Sequence, residues 1–336
     1  MKTIICARPH ELAGQERPVP ERRPGEVLLR IRRVGVCGTD YHIFQGNQPY
    51  LAYPRVMGHE LAGTIEAADP GSPLSLGQTA TVLPYLSCGT CIACRRGKPN
   101  CCVRINVLGV HIDGGMAEYV SVPESAVIPV EGLTLDHAAM VEFLAIGAHA
   151  VLRADTRAGD RVLVVGAGPI GVAVALFAQI EGAQVTIADR SEGRLAAARD
   201  RAGLAGAVLA DDTLHGRLGD ATDGEYFDMV FDATGNPAAM EAGFAYVAHG
   251  GKYVLVSIVS ADIRFSDPEF HKRETTLMGS RNATHDDFRY VIDHIRAGHL
   301  PMDKLHSHSF DLSDAPRLFP ELIADQGSVM KAIGTI

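Results

Sequence analysis

The sequence predicts an α/β protein of two domains, one a doubly wound parallel sheet and the other largely β. Three observations carry the prediction. Between residues 156 and 279, short runs rich in valine, isoleucine and alanine alternate with apolar runs of helical length. The first of these β runs leads directly into a glycine turn and a helix, the opening of a βαβ unit. A chain of 336 residues also holds more than a single hydrophobic core usually does.

The glycine turn organises the parallel domain. Residues 161–165, Arg-Val-Leu-Val-Val, read as a strand buried on both faces. Gly166, Gly168 and Gly171 follow at GxGxxG spacing, with Ala167, Pro169 and Ile170 between them, and an alanine-rich helix runs on to Ile180. The next strand ends at Asp189. The first glycine permits a tight turn, the second lets backbone approach a pyrophosphate, and the third lets helix pack on strand. The helix N-terminus adds partial positive charge for the phosphates. Asp189 would accept hydrogen bonds from the adenosine ribose. A lone GxGxxG means little; the strand before it, the helix after it and the acid beyond make dinucleotide binding the expectation over a plain crossover. Further strands are expected at 185–188, 207–210, 229–232, 252–257 and 276–280, with helices among them at 194–202 and 237–248. Strand ends face the ligand in such folds, so Thr234, Ser257 and Ser280 are candidates for the nicotinamide side.

Composition is that of a globular protein, 46% hydrophobic and 21% charged. A net charge of −9 argues against nucleic acid and anionic membranes as partners. No apolar run reaches membrane-spanning length, and Met1-Lys2-Thr3-Ile4 opens a strand rather than an export signal, so the cytoplasm is the expected compartment. The 7 cysteines are an odd number, and most are clustered, which suggests metal rather than disulfides. Cys88, Cys91 and Cys94 stand at CxxCxxC spacing, and Cys102 follows. Four thiolates on such a loop can enclose one tetrahedral zinc with no open position, a structural role. Cys101 is an alternative to Cys102, which the spacing favours, and an iron–sulfur cluster is an alternative to zinc. Arg95, Arg96 and Lys98 are expected to temper the thiolate charge.

Residues 1–36 read as β structure with a turn at Pro24-Gly25-Glu26. Cys37, Asp40, His42, His59 and Glu60 gather in the following stretch. Thiolate and imidazole suit zinc, and a catalytic site needs few protein ligands, although a core cysteine and two surface histidines would look the same. Residues 135–152 are helical in character and apolar, so an ionised Glu142 would be costly unless paired or metal-bound. Towards the C-terminus, Thr284-His285-Asp286-Asp287 resembles a capping box, Phe288, Val291, Ile292 and Ile295 recur at helical spacing, and Gly298 ends the helix. Residues 331–336 are expected to form a strand that returns to the first domain.

These residues resemble the zinc-dependent medium-chain alcohol and polyol dehydrogenases along essentially the whole chain. The carrying motifs are Cys37-Gly38-Thr39-Asp40, Gly58-His59-Glu60, the four-cysteine lobe, Gly114-Gly115 with Ala117-Glu118-Tyr119, and the GxGxxG unit. The resemblance implies a GroES-like catalytic domain from residues 1–150 and 281–336, with a Rossmann coenzyme domain, 151–280, inserted between. It implies two zinc ions: a catalytic one on Cys37 and His59, with Glu142 and in some branches Glu60 as further ligands, and a structural one on the four cysteines. Glutamate at position 142 points to the sorbitol-type branch, hence to polyols and sugar acids, although Phe143 stands where that branch usually has proline. The stretches YPRVMGHE, GKPNCC, VLGVHIDGG and SRNAT look most like bacterial sugar-acid dehydrogenases acting on L-galactonate-like hexonates.

The implied reaction is hydride transfer from a secondary alcohol to NAD, with Thr39 and His42 at the family's proton-relay positions and Asp40 orienting His59. Asp189 favours NAD over NADP, although Arg190 and Arg194 could receive a 2′-phosphate. A homo-oligomer, dimer or tetramer, follows from the resemblance alone. Competing readings are an L-threonine or simple secondary-alcohol dehydrogenase and, from another class, a non-catalytic nucleotide-binding protein.

Overall fold

The β structure expected for residues 1–36 resolves into three strands, β1 (Lys2–Arg8), β2 (Glu11–Glu16) and the long β3 (Glu26–Val36). They belong to a computed structural model that describes residues 1–48, 51–325 and 327–336. Helix α1 (Gly38–Gln45) follows, then β4 (Arg55–Val56), β5 (Glu60–Ala67), β6 (Thr79–Val82) and β7 (Tyr85–Leu86). The four-cysteine lobe carries α2 (Ile92–Arg95) and β8 (Asn106–Val107), and β9 (Tyr119–Pro123), β10 (Val127–Pro129), α3 (Leu135–Ala139) and α4 (Val141–Arg153) complete this stretch. The expected single helix over 135–152 is therefore two, broken at Met140, which caps α3.

The next stretch is strictly alternating: β11 (Arg161–Val165), α5 (Pro169–Ile180), β12 (Gln184–Asp189), α6 (Glu192–Ala202), β13 (Ala207–Leu209), α7 (Leu214–Asp220), β14 (Phe227–Asp232), α8 (Pro237–Gly243), β15 (Val247–Leu255), α9 (Asp267–Lys272) and β16 (Thr276–Gly279). All pairs are parallel, in the order β13-β12-β11-β14-β15-β16. The order reverses between β11 and β14, which opens a crevice at their carboxyl ends. The helix expected over 237–248 stops at Gly243, where an added Cβ would meet the Tyr253 hydroxyl at 2.1 Å, and β15 begins soon after.

The chain then forms α10 (His285–Arg296), α11 (Met302–Leu305), β17 (His306–Asp311), α12 (Ala315–Ala324) and β18 (Lys331–Thr335). Thr284 and Asp287 make the reciprocal capping box expected of them, and Gly298 takes φ +73 just past the helix end. β18 lies antiparallel to β3 in a sheet ordered β10-β6-β5-β3-β18-β17, with β9 also on β3.

Two units result: Met1–Phe143 with Ala283–Gly298 and Leu305–Ile336, and Leu144–Asn282 with His299–Lys304. The first division falls inside α4, earlier than the 150 read from the sequence. The cause is local: Gly147 already presses on the α5 backbone, where an added Cβ would lie 2.6 Å from Ala173, whereas Glu142 and Phe143 are buried with the first unit's side chains.

Candidate active site

Strand pairing brings the catalytic candidates together. Gly35 on β3 is opposite Glu60 on β5, so the residues just beyond, Cys37 and His59, become neighbours. Their Sγ and Nε2 atoms lie 3.1 Å apart. Cys37 is also the N-cap of α1: its sulfur accepts from the Thr39 N–H at 3.2 Å, and its own N–H donates to Asp40 at 3.0 Å. The second Asp40 oxygen accepts from the Gly58 N–H at 3.3 Å, tying the helix start to the loop that carries His59. This corrects the role expected of Asp40. Its carboxylate is used on backbone donors, and His59 Nδ1, although buried, has no hydrogen-bond partner among the described residues.

Two carboxylates complete the group. The ligand atoms of His59, Glu60 and Glu142 lie within 4.8 Å of one another, as do those of Cys37, Asp40 and His59. Asp40, His59, Glu60 and Glu142 are all buried. Glu142 accepts a short hydrogen bond from the Tyr85 phenol, and both Glu60 oxygens accept from Lys331. Neither Tyr85 nor Lys331 was singled out in the sequence. Tyr85 lies in an unremarkable apolar strand, and Lys331 is 271 residues from its partner.

The electrostatics are those of a site short of positive charge. Burial raises the Cys37 thiol, with His59 pulling the other way. Burial works to lower His59, but Cys37, Asp40 and Glu142 outweigh it and hold the imidazolium well above its usual range. Burial pushes Glu142 up to about 7, with Glu60 adding to the rise and His59, Tyr85 and Lys331 opposing it. A half-buried thiol beside buried imidazole and carboxylate groups fits a zinc ion by its donor chemistry. A divalent cation would favour the deprotonated forms of Cys37 and Glu142, which burial opposes.

The cysteine lobe forms a second group, Cys88, Cys91, Cys94 and Cys102, with Cys101 exposed and outside it. Cys91 Sγ lies 3.4 Å from Cys94 Sγ and 3.9 Å from Cys102 Sγ. Backbone N–H groups, Thr90 first, lower the Cys88 thiol to about 5. The cation that touches the group is Arg104, which donates to Cys88 Sγ at 3.3 Å, rather than the neighbouring Arg95, whose guanidinium turns to the Thr90 carbonyl. Cys102→Ser is expected to release one metal equivalent and make the lobe protease-sensitive while coenzyme binding persists. Metal analysis with limited proteolysis checks this.

In the second unit, Gly166 takes φ +102 and an added Cβ there would lie 2.9 Å from the Ala233 backbone. At Gly171 it would lie 1.8 Å from the Gly166 carbonyl oxygen, whereas Gly168 has open space around it. Pro169 and Ile170 begin α5. Asp189 accepts from the Ala167 N–H at 2.7 Å and the Ser191 N–H at 2.8 Å, so the acid is fastened to the turn itself. Arg194 lies 3.8 Å from it, and Arg190 is exposed. Thr234 and Ser257 are joined by a residue absent from the sequence reading: buried Asp232 accepts from the Thr234 and Ser257 hydroxyls, each at 3.0 Å. An acid ending a buried strand was the signal for it. Ser280 is buried, its N–H donating to the Leu255 carbonyl at 2.9 Å.

Of the remaining sequence candidates, Thr39 is half-buried and His42 exposed, one turn apart on α1. His111 accepts the Val107 N–H at 3.1 Å. No described helix is long and apolar enough to cross a membrane.

The alcohol dehydrogenase GroES-like domain family matches residues 23–132, and the zinc-binding dehydrogenase family matches residues 169–297. Over 336 residues the chain is 40% identical to the L-galactonate-5-dehydrogenase of Escherichia coli K12, covering 100% of this chain and 99% of that one. The chain belongs to the zinc-type medium-chain alcohol dehydrogenases. This dehydrogenase is also 32% identical over 322 residues to the D-altritol 5-dehydrogenase of Agrobacterium fabrum C58, with 94% of each chain covered. Among solved structures, the alcohol dehydrogenase rspB of E. coli CFT073, complexed with NADH, superposes with a TM-score of 0.94 at 31% identity, covering 100% of this chain and 99% of that one. The family and the two-part α/β fold expected from the sequence are thus both met.

Proposed function

We propose that this dehydrogenase oxidises a secondary alcohol of a sugar acid or polyol, an L-galactonate-like hexonate first among them, to the ketone with NAD as hydride acceptor. The observation that carries the substrate class is the full-length similarity to L-galactonate-5-dehydrogenase. Support for the chemistry comes from two donor groups that share His59, one with Cys37 and Asp40 and the other with Glu60 and Glu142, all buried except the half-buried Cys37.

Cys37, His59 and Glu142 would hold the catalytic zinc, and Cys88, Cys91, Cys94 and Cys102 a structural one. Bound zinc supplies Lewis acidity, which lowers the pKa of an alcohol so that its proton leaves near neutral pH. Bound NAD would take the hydride from the substrate carbon, and the hydroxyl proton would leave separately, so the two together balance the oxidation. Thr39 can receive that proton on its hydroxyl. His42, at i+3 on the same helix face and exposed, can pass it to water.

On the coenzyme side, the Gly168 gap admits backbone to pyrophosphate and the α5 N-terminus faces it with partial positive charge. Asp189 at the ribose position supports NAD over NADP. Asp189→Asn is expected to weaken NADH binding about 10–100-fold, the worth of a charge-assisted hydrogen bond or two. Fluorescence titration with NADH reads this, and unchanged affinity would remove Asp189 from the coenzyme site.

The function is tested by NADH formation across a panel of hexonates, hexitols, simple secondary alcohols and L-threonine. Turnover of a hexonate or hexitol far above the rest is expected. Turnover of L-threonine with none on hexonates or polyols would overturn the reading.

A further inference from the structure

The two carboxylates beside His59 are held by opposite kinds of partner. Glu60 is held by a cation. Lys331 Nζ donates to its two oxygens at 2.6 and 2.7 Å and reaches the Val36 carbonyl at 3.3 Å, which accounts for all three ammonium protons. The same ammonium lies 4.3 Å from the centre of the Phe143 ring. Both side chains of the pair are 0% exposed. Register explains how the lysine arrives: Ala332 pairs with Val36 on β3, and Gly35 on that strand pairs with Glu60, so the first residue of β18 falls beside the first residue of β5. Gly35 makes the space, because an added Cβ would lie 2.1 Å from Glu60 Oε2.

Among the described residues, no ammonium or guanidinium hydrogen-bonds to Glu142. Its side-chain donor among the described residues is the Tyr85 phenol, which burial first, and then Glu142 itself, keeps protonated. A neutral donor orients the carboxylate, and the cations that favour its charged form, His59 and Lys331, act on it without a hydrogen bond among the described residues.

We propose that Lys331 is a positioning residue that withholds Glu60 from the catalytic metal, leaving Glu142 as the carboxylate ligand beside Cys37 and His59. The proposal rests on the metal reading given above. For Glu60 to bind the ion it would have to abandon a fully buried ammonium, and a buried charge stripped of its partner is costly. Phe143 covers the face of the ammonium, so the residue that departs from the sorbitol-type pattern becomes part of the lock.

The test uses the full-length enzyme loaded with zinc, and then with cobalt(II) as a spectroscopic probe. Metal affinity is read by chelator competition, and the visible spectrum as a difference from wild type so that the four-cysteine site cancels. Lys331→Met frees Glu60 and is expected to bind the catalytic metal at least ~10-fold more tightly, with a changed cobalt spectrum. The double variant Glu60→Gln with Lys331→Met, which leaves no lone buried charge, is expected to keep wild-type affinity and spectrum. Glu142→Gln is expected to lose at least ~10-fold in affinity. Loss of the metal in the double variant, or its retention at wild-type affinity in Glu142→Gln, overturns the proposal. An unchanged spectrum and affinity in Lys331→Met does the same. Should Lys331→Met fail to fold, the other two variants decide. If Cys37→Ser releases no metal at all, the metal reading itself fails, and that outcome is distinct from all of these.

Discussion

Cys37→Ser is expected to lose one of two zinc equivalents and at least ~10³-fold in kcat/KM, the consequence of removing Lewis-acid stabilisation of ~4 kcal/mol. The size follows from the place of the residue. Cys37 is the N-cap of α1 and the nearest neighbour of His59, so its sulfur is fixed from two directions before any ion arrives. Serine keeps the cap, since a hydroxyl accepts the Thr39 N–H as well as a thiol does. The fold should therefore survive, with thermal unfolding close to wild type, while the soft thiolate ligand is gone. Metal analysis and steady-state rates on the same preparation check both halves. Two retained zinc equivalents would remove Cys37 from the ligand set, and collapse of the fold would mean that the cysteine is chiefly structural.

Gly168→Ala and Gly171→Ala should part company, although both lie in one glycine motif. An alanine Cβ at position 171 would sit 1.8 Å from the Gly166 carbonyl oxygen, a backbone atom that cannot step aside. Overpacking of this kind costs about 3 kcal/mol or more, and lowers Tm by roughly 6–12 °C for a domain of this size. At position 168 the same methyl meets nothing within 4 Å, and the backbone is at φ −73, which alanine adopts freely. Gly168→Ala is expected to keep its Tm and to weaken NADH binding, because the empty space is where a pyrophosphate would come. Calorimetry and NADH titration on the two variants separate packing from binding. Equal losses of stability at both positions would contradict the assignment of their tasks.

Much of the site was legible because its parts are local. The CxxCxxC spacing, the glycine turn, the Thr284 capping box and the Cys37–Asp40 stretch each act within a few residues, and short range is what a sequence displays directly. Glu142 was also legible, as a carboxylate in an apolar helix, and it is buried as that argument required. Partnerships made by strand register were not. Lys331 meets Glu60 only because β18 and β5 both border β3, and Tyr85 meets Glu142 across 57 residues. Asp40 shows the same limit from the other side. It lies beside Cys37 and His59, but its carboxylate serves two backbone N–H groups rather than the histidine. The break of the 135–152 helix at Met140 leaves no mark in the sequence, because both halves are apolar.

The central claim is that the ion held by Cys37, His59 and Glu142 makes the hexonate carbon–hydrogen bond reactive. It is tested most directly by stripping that ion with a chelator while the four-cysteine lobe keeps its own, then following NADH formation from L-galactonate as zinc is returned. The rate should start at least ~10³-fold below the loaded enzyme and rise in proportion to zinc, levelling at one added equivalent per chain. Full turnover by the folded, stripped enzyme before any zinc is returned would contradict it.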